Sequence, residues 1–290
     1  MDTAIKHMVI SGGGPLLLNM YGALKQSNIL EIWSHTSIES YHGTSAGAVL
    51  STFMALKYEW EELDNYLINR PWHNILNFNV LNIYDYYSNN GVMDKTFIYE
   101  MFSPLFKAKD IDMNIDIETF CQITGVSMYL YATEYSSFDV KEFSVEATPR
   151  VKILDAIYAS MAIPILFKPI VIEEKLYLDG SILINYPMEK CLEKNEDLTS
   201  ILGIRHEMAA KVSKTDDSTE FDMLHYATNT IYKIINKMQI EPTDANIKEI
   251  VIQSKMEDMA NFFKLANSSE DRKKVIECGM RDASNWLKPN

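Results

Sequence analysis

The sequence predicts an α/β layer fold with a parallel sheet. Two strand, glycine-turn, helix units follow one another within the first sixty residues. The 290 residues, 47% hydrophobic and 23% charged, contain no repeat, low-complexity tract or long linker that would divide them. One domain over residues 1–290 is therefore expected, with length enough to bury a sizeable core.

The first unit opens with the apolar run His7-Met8-Val9-Ile10, breaks at Ser11-Gly12-Gly13-Gly14-Pro15, and continues with Leu16, Leu17, Met20 and Leu24 at helical spacing. Pro15 suits the first helical position, where its missing N–H costs nothing and its fixed φ is already helical. In the second unit Ile38 to His42 alternates as a strand and Gly43-Thr44-Ser45-Ala46-Gly47 turns. Ala48-Val49-Leu50 with Phe53, Met54 and Leu56 then starts a helix. From Trp60 to about Phe106 the pattern is helical and aromatic-rich, as expected of helices covering the sheet. Ser127 to Thr133 and Val140 to Val145 read as strands around a polar Tyr135–Asp139 turn, and Ile153 to Met161 as a helix that stops before Pro164. Val171-Ile172 and Leu176-Tyr177-Leu178 flank the charged turn Glu173-Glu174-Lys175, and the second run leads into Asp179-Gly180-Ser181. Ser200 to Ile204 and Ile247 to Ile252 are later strands, with one amphipathic helix from Phe221 to Met238 between them. Ser268-Ser269-Glu270-Asp271 offers a capping box for a closing helix to about Leu287.

Lys and Arg number 27 against 40 Asp and Glu, a net charge of −13. Binding to phosphate-rich polymers runs on counterion release by cations, so nucleic acid is not an expected partner. Cys121, Cys191 and Cys278 are too widely spaced for a metal knuckle or a C-x-x-C pair and read as packing residues. No window approaches eighteen uncharged apolar residues, and Met1-Asp2-Thr3-Ala4-Ile5-Lys6-His7 lacks the basic and apolar regions of a leader. No transmembrane segment and a cytoplasmic location are expected, with room for peripheral membrane contact; export by a non-classical route would leave no mark in the sequence.

Gly43-Thr44-Ser45-Ala46-Gly47 is a G-x-S-x-G between a predicted strand and a predicted helix, the context a nucleophile elbow requires. A sharp turn that projects a serine hydroxyl needs bare flanks, which the two glycines supply. Gly12-Gly13-Gly14 lets backbone N–H groups converge beside a helix N-terminus, suited to a phosphate or to the oxyanion of a tetrahedral intermediate. A dinucleotide loop would place its third glycine at position 17, where this chain has Leu17. A serine nucleophile also needs a base, and the histidines are His7, His35, His42, His73, His206 and His225. His42 adjoins the elbow but lies on its entering strand and reads as core. The Ser, Asp, His order of α/β-hydrolases would use Ser45, Asp179 and His206 or His225. Asp179-Gly180-Ser181, at the end of a strand, is alternatively an acid that reaches a neighbouring loop by itself.

Taken in order, Gly12-Gly13-Gly14, Gly43-Thr44-Ser45-Ala46-Gly47 and Asp179-Gly180-Ser181 resemble the patatin-like phospholipase family. The connecting text agrees. Ala159-Ser160-Met161-Ala162-Ile163-Pro164-Ile165-Leu166-Phe167-Lys168-Pro169 resembles the family's A-S-x-A-I-P-x-x-F-x-P, Asn185 and Pro187 its N-x-P, and Gly22-Ala23-Leu24 its G-x-L. The resemblance covers about residues 7–190, a motif-bearing catalytic core, which leaves residues 205–290 as strands and helices of the same domain or an extension. It implies a three-layer α/β/α sandwich with a mostly parallel central sheet and a Ser–Asp dyad, with Ser45 as nucleophile and Asp179 as base. Gly12, Gly13 and Gly14 would form the oxyanion hole, Gly43, Gly47 and Gly180 would support the elbow and the acid's turn, and no histidine, metal or other cofactor would be needed. The family usually reads G-G-G-x-R/K-G, and here Leu16 and Leu17 replace the basic residue and the last glycine.

The function so implied is lipid acyl hydrolysis, of phospholipase A or lysophospholipase type, through an acyl-enzyme. The alternatives are a transacylase using the same acyl-enzyme, and a catalytically silent lipid-binding or effector protein. An aspartate of ordinary pKa, about 3.9, is a poor base for a hydroxyl, so its site must raise that value; the apolar Leu176-Tyr177-Leu178 before Asp179 suits a dry site. The expected partner is lipid at a membrane or micelle surface. The acidic balance opposes tight docking on anionic lipid, so contact is expected to be transient, through an apolar lid in the Trp60–Phe106 section. The 16 Met, 16 Tyr and 12 Phe suit a greasy channel as well as the core.

Overall fold

The computed structural model describes residues 4–75, 91, 93–195, 197–208, 226–227, 230–231, 233–235, 247–254 and 260–286. The first apolar run forms β1 (His7–Ile10). A 3₁₀ turn, Gly14–Leu16, follows with Pro15 at its start, and α1 runs over Leu17–Ile29. β2 covers Ser40–Thr44, two residues further along than expected, and α2 (Ala46–Ala55) begins at once, so the predicted five-residue turn is the single residue Ser45. The reason lies in the partners. β2 pairs in parallel with β1 from Ser40 to Gly43 and with β3 (Ser127–Glu134) through Thr44, and those ladders hold in extended form a segment that reads locally as a turn.

Beyond α2, the helical section comprises α3 (Trp60–Asn69), a 3₁₀ turn at Trp72–Asn74 and α4 (Thr96–Ala108); its residues 76–90 and 92 lie outside the described ones. α5 (Ile117–Thr124) has no counterpart among the predicted elements, although both its ends carry signals. The Asp116 carboxylate accepts the Thr119 N–H at 2.9 Å, and Gly125 closes the helix at φ 72°. β4 (Asp139–Phe143) and α6 (Ile153–Met161) follow. β5 (Ile170–Ile172) and β6 (Lys175–Asp179) form a hairpin tighter than expected, with Glu173 and Glu174 both at positive φ. The chain continues through α7 (Met188–Leu192), β7 (Ile201–Met208), β8 (Lys248–Ser254), α8 (Ala260–Asn267) and α9 (Ser269–Trp286). Ser268 Oγ accepts the Asp271 N–H at 3.1 Å where α9 begins. Of the predicted helix Phe221–Met238, residues 226–227, 230–231 and 233–235 are helical and the rest, His225 among them, lie outside the described residues.

Among the described residues eight strands form one sheet, hydrogen-bonded in the succession β5-β6-β3-β2-β1-β7-β8, with β6 and β2 in line on one edge of β3 and β4 on its other edge. β8, β7, β1, β2 and β3 are parallel, whereas β4 and β6 run antiparallel to β3 and β5 antiparallel to β6. The parallel sheet expected from the opening units is therefore a mixed one with a parallel centre. Strand alternation divides the interior. Met8, Ile10, Leu130 and Leu202 join the larger core beneath the helices α1, α2 and α6, while Val9 and Ile201 face the other side with Tyr186, Met188 and Cys191 of the α7 segment. The result is a three-layer α/β/α sandwich.

α9 is held against α1 by an approach of backbone to backbone. A Cβ on Gly22 would lie 2.0 Å from the Ile276 carbonyl oxygen, and one on Gly279 would lie 1.8 Å from that of Asn19. Neither obstacle is a flexible side-chain tip, so the helices would have to part. Gly22→Ala is expected to destabilise by about 1–3 kcal/mol, although alanine favours a helix by about 1 kcal/mol over glycine. Thermal unfolding followed by circular dichroism would show a melting temperature several degrees lower; an unchanged or higher value would contradict this crossing.

Candidate active site

β3 offers the same edge to two strands running in opposite directions. β2 ends on it with Thr44 opposite Tyr131, and β6 arrives from the other end with Asp179 opposite Ala132, the next residue along. The two strands meet head to head, so the residue after Thr44 and the last residue of β6 share one place. Ser45 Oγ donates to Asp179 Oδ2 at 2.8 Å, and both side chains are buried.

Ser45 sits at φ 53°, ψ −118°, in backbone space that non-glycine residues rarely enter and that costs of order 1–3 kcal/mol. Several contacts hold it there. Its N–H donates to Ser160 Oγ at 2.9 Å, and Ser160 in turn donates to the Tyr131 carbonyl at 2.6 Å, tying the elbow through α6 to β3. Its carbonyl accepts from Ala48 and Val49 in the first turn of α2. The flanking glycines serve close approach rather than unusual dihedrals. A Cβ on Gly47 would lie 2.1 Å from the Ile10 carbonyl oxygen, and one on Gly43 would lie 2.6 Å from that of Gly47. Gly180 likewise faces the Tyr131 carbonyl oxygen, 2.2 Å from where its Cβ would be.

Both Asp179 oxygens are engaged, Oδ2 by Ser45 and Oδ1 by the Ser181 N–H at 2.7 Å, so no imidazole stands between serine and acid. Burial pushes the Asp179 carboxyl up to about 6, against the lowering effect of the Ser181 N–H and the Ser45 hydroxyl. His206, at the end of β7, lines the same cavity, whereas His42 is buried in the sheet, with Nδ1 3.0 Å from Tyr131 Oη and its ring stacked on Tyr129. Burial drives the His42 pKa down to about 3, which makes it a neutral packing residue. Cys191 is buried within α7, and Cys121 and Cys278 are half-buried free thiols. Among the described residues no group of three or more His, Cys, Asp or Glu is placed to hold a metal ion.

The glycine loop borders this cavity of about 70 Å³ through Gly13 and Gly14. Gly12 is placed differently from its neighbours: its N–H donates to the Asn185 carbonyl at 2.8 Å, which commits that amide to the loop rather than to a developing oxyanion. A Cβ on Gly12 would meet Asn185 Oδ1 and Ser181 Oγ, each at 2.3 Å, so both side chains of the segment after Asp179 would have to turn aside to admit one. That segment is anchored in turn by Tyr186, whose hydroxyl donates to Glu249 Oε1 at 2.7 Å while Arg205 Nε donates to Oε2 at 3.1 Å. Of the two leucines that depart from the G-G-G-x-R/K-G pattern, Leu16 is buried and Leu17 lines the cavity.

Ser160 is the site residue that sequence reasoning left without a role, although it lies within Ala159–Pro169. The signal for it is tertiary, since its partner is 115 residues away.

A family model of patatin-like phospholipase matches residues 8–192. A probable lipid hydrolase of Invertebrate iridescent virus 6 is 26% identical over 186 residues, covering 63% of this chain and 62% of that protein, so this chain spans a little under two thirds of that relative's length. An uncharacterized protein of Acanthamoeba polyphaga mimivirus is 24% identical over 220 residues, covering 75% of this chain and 70% of its own. Among solved structures, VipD from Legionella pneumophila has a TM-score of 0.51 at 13% identity, covering 95% of this chain and 67% of that one, a likeness of fold.

Two outcomes follow from the geometry. Ser160→Ala removes the acceptor of a buried N–H, a loss of about 1–3 kcal/mol, and loosens Ser45; covalent labelling by a fluorophosphonate is expected to slow at least tenfold, with Ser160→Thr retaining more of the rate. Asp179 is raised from an ordinary unfolded value of 3.8 to about 6, so its contribution to stability is intact below the unfolded value and is lost as pH rises through about 6. Asp179→Asn is therefore expected to be more stable than the parent at about pH 8, by up to ~3 kcal/mol, and to show no such gain near pH 4, as urea titrations at the two pH values would read.

Proposed function

The chain belongs to the patatin-like phospholipase family, and on that premise we propose that it hydrolyses fatty-acyl esters of phospholipids or lysophospholipids with Ser45 as nucleophile and Asp179 as base. The supporting observation is the direct 2.8 Å hydrogen bond from Ser45 Oγ to a buried carboxylate whose pKa lies near neutrality. An ordinary aspartate is too weak a base for a hydroxyl proton, whereas one raised to about 6 is still ionised at neutral pH and is a better acceptor.

In the proposed reaction Ser45 Oγ attacks the ester carbonyl carbon while its proton passes to Asp179 Oδ2. The carbonyl oxygen, now an oxyanion, lies against the glycine loop at Gly13–Gly14 and the N-terminal end of α2 at Ala46, where backbone N–H groups and the helix dipole favour negative charge. Collapse expels the alcohol, which takes the proton back from Asp179 and leaves an acyl-Ser45. Water then gives a proton to Asp179 and attacks the acyl carbonyl, and the released Ser45 alkoxide recovers that proton as the fatty acid departs. The lining supplied by Leu17, Val49, Phe97, Met161 and Leu166 offers the acyl chain an apolar seat and keeps Asp179 dry. Among the described residues no helix is long and apolar enough to cross a membrane, and substrate is proposed to be met at a lipid surface by transient contact.

Fatty-acid release from mixed phospholipid and lysophospholipid vesicles tests this. Ser45→Ala and Asp179→Asn are expected to lose at least a thousandfold in rate while folded, His206→Ala to keep activity, and kcat/KM of the parent to fall as pH drops below about 6. Loss of activity in His206→Ala equal to that in Ser45→Ala would replace Asp179 as the base. Transfer of the acyl group to added glycerol in preference to water would make the protein a transacylase. Binding to vesicles with no release and no labelling of Ser45 would leave it a lipid-binding protein.

A further inference from the structure

A second cavity of about 70 Å³ lies beside the first and shares three of its walls, Leu17 of α1 and Phe97 and Met101 of α4. Its remaining surface is almost wholly apolar and comes from side chains that do not touch Ser45 or Asp179 by any hydrogen bond: Leu18 of α1, Phe53 of α2, Leu67 of α3, Trp72 and Leu265 of α8. The one charged group on it among the described residues, Arg272 of α9, turns all of its donors elsewhere. Nε donates to the Ile68 carbonyl at 3.0 Å, Nη1 to those of Leu265 and Ala266 at 2.6 and 3.0 Å, and Nη2 to those of Ile68 and Arg70 at 2.5 and 3.2 Å. A guanidinium has five N–H groups, and all five are spent on the carbonyl ends of α3 and α8. Arg272 thus ties two helix ends together and presents the cavity with its hydrocarbon stem rather than with a charge that would attract a carboxylate or phosphate.

We infer that this second cavity takes the distal part of a long alkyl chain whose ester carbonyl lies at Ser45, the chain passing between the cavities over Leu17, Phe97 and Met101. The inference rests on the acyl-hydrolase reading of the site and adds to it a preference for long unbranched chains. Three features single out an alkyl chain. The cavity adjoins the one lined by Ser45 and Asp179, and the three residues the two have in common, Leu17, Phe97 and Met101, all have apolar side chains. Among the described residues its wall carries no unspent side-chain donor for a polar head group. Leu17 stands on the shared wall where the family pattern has a glycine, which makes the passage apolar on the side of the glycine loop.

Trp72, on the cavity wall, is a built-in reporter held in place from behind, since its Nε1 donates to the Leu67 carbonyl at 2.9 Å and its ring packs on Tyr66 and Arg70. Ser45→Ala protein would be titrated with stearoyl lysophosphatidylcholine brominated either near the carboxyl end or near the methyl end of the chain, and tryptophan emission followed. Bromine near the methyl end is expected to quench more strongly than bromine near the carboxyl end, and the difference to vanish in Ser45→Ala/Trp72→Phe. Equal quenching by the two lipids, or a difference that survives loss of Trp72, would overturn the inference. In parallel, Leu265→Phe narrows the cavity from a wall that the Ser45 cavity does not share, and hydrolysis of a long-chain relative to a short-chain p-nitrophenyl ester is expected to fall about tenfold. An unchanged ratio in a folded variant would overturn the inference as well. If the parent cleaves no ester at all, the hydrolase reading fails on that result, while the quenching still reports whether the cavity takes an alkyl chain.

Discussion

The edge of β3 is shared by two strand ends that run toward each other, and the site depends on that arrangement. In a parallel sheet the carboxyl ends of neighbouring strands gather at one side, which places the turn after β2 beside the loop after β1. A strand added in the same direction would carry its own end to that same rim, a strand width away. β6 instead enters antiparallel to β3 in line with β2, so its last residue falls one register step beyond the end of β2. The serine and the acid are thereby adjacent without an intervening residue, and the geometry is set by ladder hydrogen bonds rather than by loop conformation.

That placement is energetically adverse, and the surrounding structure offsets it. Ser45 holds a strained backbone and Asp179 a desolvated carboxyl, each costing on the order of a few kcal/mol. The opposing contributions come from the Ser160 link to β3, the Ser181 N–H on Asp179, and helix α2 packed without side chains against β1 at Gly47. Sites that need such strain are commonly less stable than the fold could be, which is why removing the charge is expected to stabilise while removing the support does not.

The second face of the sheet also bears on the chemistry. Gly203 leaves space for Tyr186, whose hydroxyl would otherwise lie 1.9 Å from a Cβ there, and Tyr186 reaches Glu249 on β8 beside Arg205 of β7. This buried polar link fixes the chain at Asn185, whose carbonyl holds the Gly12 amide. The later strands β7 and β8 therefore support a loop laid down at the start of the chain, and α9 does the same for α1 through Gly22 and Gly279.

By itself the sequence determined the elements whose apolar period is strong and local, β1, β3 and α6, and it marked out Ser45 and Asp179 as candidates, because a serine between glycines at a strand-to-helix junction and an aspartate before glycine at a strand end are local patterns. The C-terminal signal at Gly125 and the Asp116 cap were equally local, yet α5 is too short for its period to stand out. What only the tertiary structure decided depends on partners distant in the chain. The extension of β2 through Thr44 comes from its ladders, the role of Ser160 from a hydrogen bond across 115 residues, the commitment of the Gly12 amide from Asn185, and the raised pKa of Asp179 from burial by elements on either side of it. Hydrophobic period and turn chemistry are properties of consecutive residues, whereas desolvation, close approach and strand register are properties of an assembled neighbourhood, and the geometry of the site belongs to the second kind.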